Sequence, residues 1–308
     1  NLLDNPDFQL WERGTSFTGV TVNNTPTAER WQLWCSGDTM DVTRETIASE
    51  LSNNLPFSPF YSARITSTGN DYSGFQQVHY GLEALKTFSA TEITIAIYGI
   101  GVVPTGLRVS IIFDFGIGGS ADEQISATFP TPISSANKLT MTSVSMVTPT
   151  VVGKTIGSYP KVIIRLDQRV NTNAWNFAIC GAKLAFGANV YPMELVDYSL
   201  EEIKAEKYFK KIGGAAGIVT DVWRDSSVLA VGSIDFNMVE PPVIALVGAA
   251  ANLTLDSKSA APAITAISSD RVTTRGARLK FTHDSTTGYE AGGVYSTSAN
   301  TYITVDAE

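Results

Sequence analysis

The stretch Leu107-Arg108-Val109-Ser110-Ile111-Ile112-Phe113 sets the fold class. Leu107, Val109, Ile111 and Phe113 fall on one face of an extended chain, with Arg108 and Ser110 on the other. A period of two marks a strand with one buried face. The same pattern recurs on either side. Ile93, Ile95 and Ile97 point one way with Thr94 and Ala96 between them, Val162, Ile164 and Leu166 alternate with Lys161, Ile163 and Arg165, and Trp175, Phe177 and Ile179 follow the same rule. Turn-forming runs such as Pro104-Thr105-Gly106, Gly116-Ile117-Gly118-Gly119 and Asn171-Thr172-Asn173 separate these stretches. Many short strands with few helices predict an all-β protein, a sandwich or jelly roll over residues 1–198.

One segment breaks the alternation. Ser199 followed by Glu202 reads as a capping box, and Leu200, Ile203, Tyr208, Phe209 and Ile212 recur at helical spacing. Glu206 and Lys210 stand four apart, and Gly213-Gly214 is a stop signal. The spacing predicts one short linking helix at about 200–212, with an apolar stripe packed on a β-layer at the junction of two modules. Beyond it Ala277, Leu279 and Phe281 alternate with Arg278, Lys280 and Thr282, and Ile303 and Val305 close a last strand. Residues 199–308 are thus expected to hold the helix and a small antiparallel β-sandwich, with about seven short strands after residue 215.

Composition bounds the function classes. The 308-residue chain is 44% hydrophobic and only 17% charged, enough apolar material for real cores. Its net charge of -8 argues against a phosphate-backbone partner, and the densest basic group, Lys204, Lys207, Lys210 and Lys211, is interleaved with Glu201, Glu202 and Glu206 and reads as a solvated helix face. No nucleic acid is therefore expected. No run of 18 apolar residues and no secretory leader pattern occurs, so no membrane insertion is expected. Cys35 and Cys180 lack metal-site spacing and are read as two buried free thiols, with a single disulfide as the alternative.

Catalytic patterns are lacking. His79 and His283 are the two histidines, each read as a strand residue, and neither a nucleophile elbow nor a zinc-protease motif is present. The expectation is no enzyme and no cofactor. Asp4, Asn5 and Asp7 offer oxygen ligands that suit calcium, against the simpler reading of a polar turn before the first strand, so no metal site is assigned. Sugar faces stack on aromatic rings and their hydroxyls take amide and carboxylate partners. On that chemistry the carbohydrate-binding candidates are Trp34, Asp71, Tyr72 and Tyr80 in the first module and Trp223, Arg224 and Asp225 in the second. Trp11, Trp31 and Trp175 are read as core.

Four stretches carry a resemblance. Asn1-Leu2-Leu3-Asp4-Asn5-Pro6-Asp7-Phe8 with Trp11-Glu12-Arg13-Gly14, and then Glu29-Arg30-Trp31, resemble the opening of jelly-roll modules in bacteriophage tail-fibre and receptor-binding proteins. Gly181-Ala182-Lys183-Leu184, Gly187, Tyr191-Pro192 and Glu206-Lys207-Tyr208-Phe209 resemble the closing strand and helix of that family, and Phe236-Asn237-Met238, Pro241-Pro242-Val243 and Asp306-Ala307-Glu308 its C-terminal module. Ala205, Glu206 and Lys207 depart from it, standing where the family often has Cys, Gln and Arg. The resemblance implies a virion structural protein, a homotrimer assembled in the bacterial cytoplasm with other virion proteins, whose jelly roll is similar to carbohydrate-binding modules and meets host polysaccharide. It implies no enzyme. The alternatives are a ligand-free head fibre, collar or decoration protein, and the carbohydrate-binding module of a secreted enzyme; a depolymerase is the enzymatic rival.

Overall fold

The computed structural model describes residues 1–48, 59–69, 72–102, 106–130, 140–168, 174–189, 193, 196–206, 209–213, 218–226, 229–235, 243–248, 250, 253–255, 264–270, 272, 276–283, 292–296 and 302–306. The chain divides into two compact units, Asn1–Glu201 and Glu202–Glu308.

The first unit holds, in chain order, β1 (Ser16–Val20), β2 (Thr25–Pro26), β3 (Gln32–Ser36), β4 (Met40–Thr46), β5 (Tyr61–Ser67), β6 (Tyr72–Tyr80), helix α1 (Leu82–Phe88), β7 (Glu92–Val102), β8 (Arg108–Asp114), β9 (Glu123–Thr128), β10 (Thr140–Val147), β11 (Lys161–Gln168) and β12 (Asn176–Phe186). They form two six-stranded antiparallel sheets, β1-β4-β5-β12-β7-β10 and β2-β3-β6-β11-β8-β9. The chain crosses repeatedly between the sheets, and the late strands β11 and β12 insert at their centres, which is a jelly-roll-like sandwich. The alternating residues behave as their period requires. Val109, Ile111, Phe113, Val162, Ile164 and Leu166 from one sheet meet Ile93, Ile95, Ile97, Phe177 and Ile179 from the other in one buried core.

Residues 1–31 lock onto this core. Phe8, Trp31 and Phe75 stack with ring centroids 4.9–5.9 Å apart. The Trp31 indole N–H donates to Asn5 O at 3.1 Å, the Asn5 amide donates to Leu10 O and Glu29 O at 3.0 Å, and Arg30 pairs with Asp4 at 3.1 Å. Asn5, Phe8 and Arg30 take the left-handed backbone conformation, so this knot is built on tight turns. Asp4, Asn5, Phe8, Arg30 and Trp31 are therefore fold determinants here.

Helix α1 was not anticipated. It has seven residues, too short for a periodic signal, and buries only Leu85 and Phe88, one turn apart. The linking helix α2 (Tyr198–Ala205) is shorter than the predicted 200–212. The Asp197 carboxylate caps it, accepting from the backbone N–H groups of Ser199 and Leu200 at 3.1 and 3.4 Å, so Ser199 is not the N-cap. Leu200 and Ile203, the expected apolar stripe, are 51% and 60% exposed, while Glu201 is buried. Phe209 and Ile212 belong instead to strand β13 (Phe209–Gly213), where a five-pair ladder with β21 (Tyr302–Asp306) overrides local helix propensity. Lys210 and Lys211 sit on β13 as well, so the basic group is no continuous helix face; Lys207 and Tyr208 lie outside the described residues.

The rest of the second unit comprises β14 (Ile218–Ser226), β15 (Leu229–Asp235), β16 (Val243–Val247), β17 (Leu253–Leu255), β18 (Ile264–Asp270), β19 (Gly276–His283) and β20 (Gly292–Ser296). It has a three-stranded antiparallel sheet, β13-β21-β16, and a six-stranded one, β17-β20-β14-β15-β19-β18. Leu279, Phe281, Val294 and Ile303 are fully buried there.

Candidate functional site

The outer face of the β2-β3-β6-β11-β8-β9 sheet carries the most concentrated polar chemistry of the first unit. Strand register fixes its rows. Gln32, Gln76, Arg165, Ser110 and Ser126 lie side by side across β3, β6, β11, β8 and β9, and the next row is Trp34, Gly74, Asp167, Arg108 and Thr128. Four inter-strand spacings make each row about 19 Å long.

The centre of these rows is a connected network. Arg165 Nε donates to Gln76 Oε1 at 2.7 Å, and the Gln76 amide donates to Asn24 Oδ1 at 3.0 Å and to Gln32 Oε1 at 3.4 Å. The Arg165 guanidinium lies 3.9 Å from the Trp34 ring centroid, a cation–π contact. Gly74 makes this approach possible, since a Cβ there would stand 3.0 Å from Arg165 Cγ and Cδ and from Leu166 O. In the neighbouring row Asp167 pairs with Arg108 and accepts from Ser110 Oγ at 2.8 Å, and the Gln124 amide donates to Ser110 and Ser126 at 3.0 Å. Gln32, Gln76, Ser110, Arg165 and Asp167 are all buried, whereas Gln124, Ser126 and Thr128 on the edge strand are exposed. The arrangement is a preorganised floor of amide, guanidinium and carboxylate groups, with hydroxyls along one side and Trp34 and Tyr72 at the other.

The sequence candidates distribute unevenly over the fold. Trp34 is half-buried, with one ring face taken by Arg165. Tyr72 opens β6 opposite Ser36 and is exposed, so the structure brings it to the Trp34 end of the sheet. Tyr80 shares the outer face but ends the same strand, eight residues or about 27 Å away, opposite Lys161. Asp71 lies outside the described residues. Trp223, Arg224 and Asp225 lie on β14 in the second unit, Trp223 pairing with Val231 and Arg224 with Ala230. Trp11, Trp31 and Trp175 are buried in the core. The sequence reading missed Gln32, Gln76, Ser110, Arg165 and Asp167. Their signal was a polar residue at every second position of strands that register places centrally.

Other reactive groups have structural roles. Asp4 and Asn5 are committed to the N-terminal knot, and Asp7 Oδ2 accepts from Tyr198 Oη at 2.9 Å. Among the described residues no group of three His, Cys, Asp or Glu side chains could hold a metal ion. Burial pushes the Asp7 carboxyl up to about 6 despite the Tyr198 hydrogen bond. His79 stacks edge-on against Phe88, its Nε2 shut off from solvent with no partner among the described residues, and burial lowers it to about 4. Cys35 and Cys180 are free and buried on different sheets, and burial pushes their thiols up to about 11 and about 12. His283 ends β19 opposite Ile264.

No protein-family model matches the sequence, and no curated protein matches it. Solved structures are similar to part of this chain. A carbohydrate-binding module, TmCBM61, solved with β-1,4-galactotriose, is 12% identical over 61% of this chain and 99% of its own, with a TM-score of 0.27. The CBM22-2 xylan-binding domain of Paenibacillus barcinonensis Xyn10C is 11% identical over 53% of this chain and 96% of its own, with a TM-score of 0.33. The enzymatically active domain of bacteriophage CBA120 tailspike protein 4 is 12% identical over 55% of this chain and 21% of its own, with a TM-score of 0.30. At this identity and TM-score the likenesses assign no function.

Proposed function

We propose that the chain is a glycan-binding structural component of a bacteriophage particle, and that its first unit takes host-surface polysaccharide on the outer face of the β3-β6-β11-β8 sheet. The observation that carries the glycan reading is the buried Arg165–Gln76 and Asp167–Ser110 network in the middle of an outward sheet face. Burying a guanidinium, a carboxylate and two amides at such a place costs desolvation free energy that packing alone does not require. The same groups, held rigid and rimmed by exposed hydroxyls and two aromatic side chains, suit a polyhydroxylated chain about as long as the row. The virion setting and the homotrimer rest on the motif resemblance of residues 1–31, 181–209, 236–243 and 306–308. The unit acts as a binding module and performs no hydrolysis.

Calorimetric titration of the full chain with capsular and lipopolysaccharide oligosaccharides tests this. Binding that Arg165→Ala or Trp34→Ala weakens more than about tenfold, and that Trp223→Ala leaves intact, is the expected result. A chain that binds no oligosaccharide at millimolar concentration fits the ligand-free head-fibre reading and refutes this one. Release of reducing ends would overturn the assignment as a pure binding module. Light scattering should give three times the 33.0 kDa chain mass, and a monomer at micromolar concentration would refute the trimer.

A further inference from the structure

A sheet edge exposes unpaired main-chain groups that can pair with another chain, and proteins usually blunt their edges with short strands, proline, bulges or charge. The two sheets of the first unit end in β1, β10, β2 and β9. Three of these strands are blunted. β1 has a register break between Phe17 and Val20, β2 is only Thr25–Pro26, and β9 opens with Glu123, which pairs with Lys154. β10 is not blunted. It pairs with β7 over eight consecutive residues without a break, and residues 139–153 carry no charge.

The hydrogen-bond phase of β10 follows from its neighbours. Thr148 N–H donates to Thr91 O at 3.0 Å, whereas Glu92 O, opposite Val147, accepts from Gly187 N–H at 2.7 Å on the far side of β7. Main-chain groups alternate in direction along a strand. The N–H and C=O groups of Met141, Ser143, Ser145 and Val147 therefore point out of the sheet, and none has a main-chain partner among the described residues. Met141 and Val147 are 47% and 60% exposed. The core is also open along this flank. Val144 and Met146 face inward yet are only half-buried, as is Ile125 on β9, whereas Ile95 and Ile93, opposite them on β7, are buried.

We propose that β10 pairs antiparallel with β10 of a second copy of this chain, about a two-fold axis through Val144. The strand is self-complementary in that register. Met141 of each copy faces Val147 of the other and Ser143 faces Ser145, so apolar meets apolar and hydroxyl meets hydroxyl. These are also the residues whose main-chain groups point outward, so each facing pair can exchange two hydrogen bonds. With no charge on the strand, two copies of a chain of net charge -8 meet there without a like-charge pair. An eight-residue ladder is only about 27 Å long and by itself falls below the roughly 1,200 Å² of a stable interface, so the pairing is weak and depends on concentration. It does not rest on the glycan reading, and being two-fold it adds to a trimer contact and does not replace it.

Sedimentation equilibrium of the full chain from micromolar to submillimolar concentration tests it. The mass should rise to twice that of the micromolar species, whether that species is a trimer or a monomer, so failure of the trimer reading and failure of this one are read separately. Val147→Lys and Ser143→Pro should each weaken the doubling more than about tenfold. Both should fold, because Val147 is mostly exposed and the Ser143 N–H makes no ladder bond. Oxidation of Val144→Cys reads the register. Its two copies face each other in a non-hydrogen-bonded pair with Cα atoms about 4.5 Å apart, so a reducible covalent dimer should form. Met141→Cys, though exposed, lies about 20 Å along the strand from its counterpart and should not link. A constant mass, or an equal rise in wild type and Val147→Lys, overturns the proposal. So does linking of Met141→Cys as fast as of Val144→Cys. Growth past twice the mass means a head-to-tail contact with another edge and overturns it too.

Discussion

Asp7, which is buried, and His79, which is half-buried with its Nε2 shut off from solvent, should make opposite and largely cancelling contributions to the pH dependence of the first unit's stability, and single substitutions expose them. Asp7 rises from 3.8 to about 6 on folding. The folded state holds the proton more tightly, so Asp7 favours folding below pH 4, and that contribution is lost as pH rises through 6. A rise of about two units is worth about 3 kcal/mol. His79 falls from 6.5 to about 4, so its contribution has the opposite sign. Folding excludes the charged imidazole, and stability is lost as pH falls from 6.5 through 4, again by about 3 kcal/mol and less insofar as solvent reaches the ring. Between pH 4 and 6.5 the two slopes cancel. Asp7→Asn imitates the protonated carboxyl and keeps an acceptor for Tyr198 Oη, so it leaves only the His79 slope, and this variant should gain stability with rising pH relative to wild type. His79→Phe keeps a ring against Phe88 and leaves only the Asp7 slope, so it should lose stability with rising pH. Urea unfolding at half-unit steps from pH 4 to 7, expressed as the difference from wild type, reads both effects and removes every shared titration. Difference curves that are flat, or that slope the same way for both variants, would refute the reasoning.

Two further outcomes follow from local geometry. Gly74→Ala brings a Cβ to 3.0 Å from Arg165 Cγ and Cδ and from Leu166 O, so it should lower stability by about 1–2 kcal/mol and displace the guanidinium from Trp34, read as a change in tryptophan fluorescence. Cys35 and Cys180, buried with thiols held at about 11 and about 12, should not react with a disulfide reagent at pH 8 in the native protein and should both react in denaturant; fast native labelling of either would contradict its burial.

The strands were legible because burial on one face writes itself into the sequence with a period of two. Ile93, Ile95 and Ile97 or Leu107, Val109, Ile111 and Phe113 need no partner to be recognised, and each set is buried as its spacing requires. Residues 199–212 misled for a physical reason. Leu200, Ile203 and Phe209 fit a helical stripe, yet Phe209–Gly213 gains a ladder with the last strand of the chain, a partner that no local pattern contains. Ser199 and Glu202 met the capping-box pattern, but Asp197, two residues earlier, supplied the carboxylate that reaches the helix N–H groups. Helix α1 escaped because two buried residues in seven leave no measurable period.

The outer-face site was legible in kind and not in place. Trp34 and Tyr72 were recognised from residue chemistry, and they fall at one end of the sheet; Tyr80, chosen on the same grounds from the same strand, falls at the other. What distinguishes the two ends is register. Arg165 reaches Trp34 only because β6 separates their strands, β3 and β11, and only because the residue of β6 between them is Gly74. Asp167 meets Arg108 because β8 is the other neighbour of β11. A polar residue at every second position along one strand implies only a wet face. When three adjacent strands put Gln76, Arg165 and Ser110 in one row and bury all three, the row is a network whose geometry is fixed before any ligand arrives. Fixed geometry means that little rotamer freedom remains to be lost on binding. Substitutions in the buried row should therefore weaken glycan affinity more than equal truncations of the exposed Gln124, Ser126 and Thr128, whose side chains still have that freedom to lose.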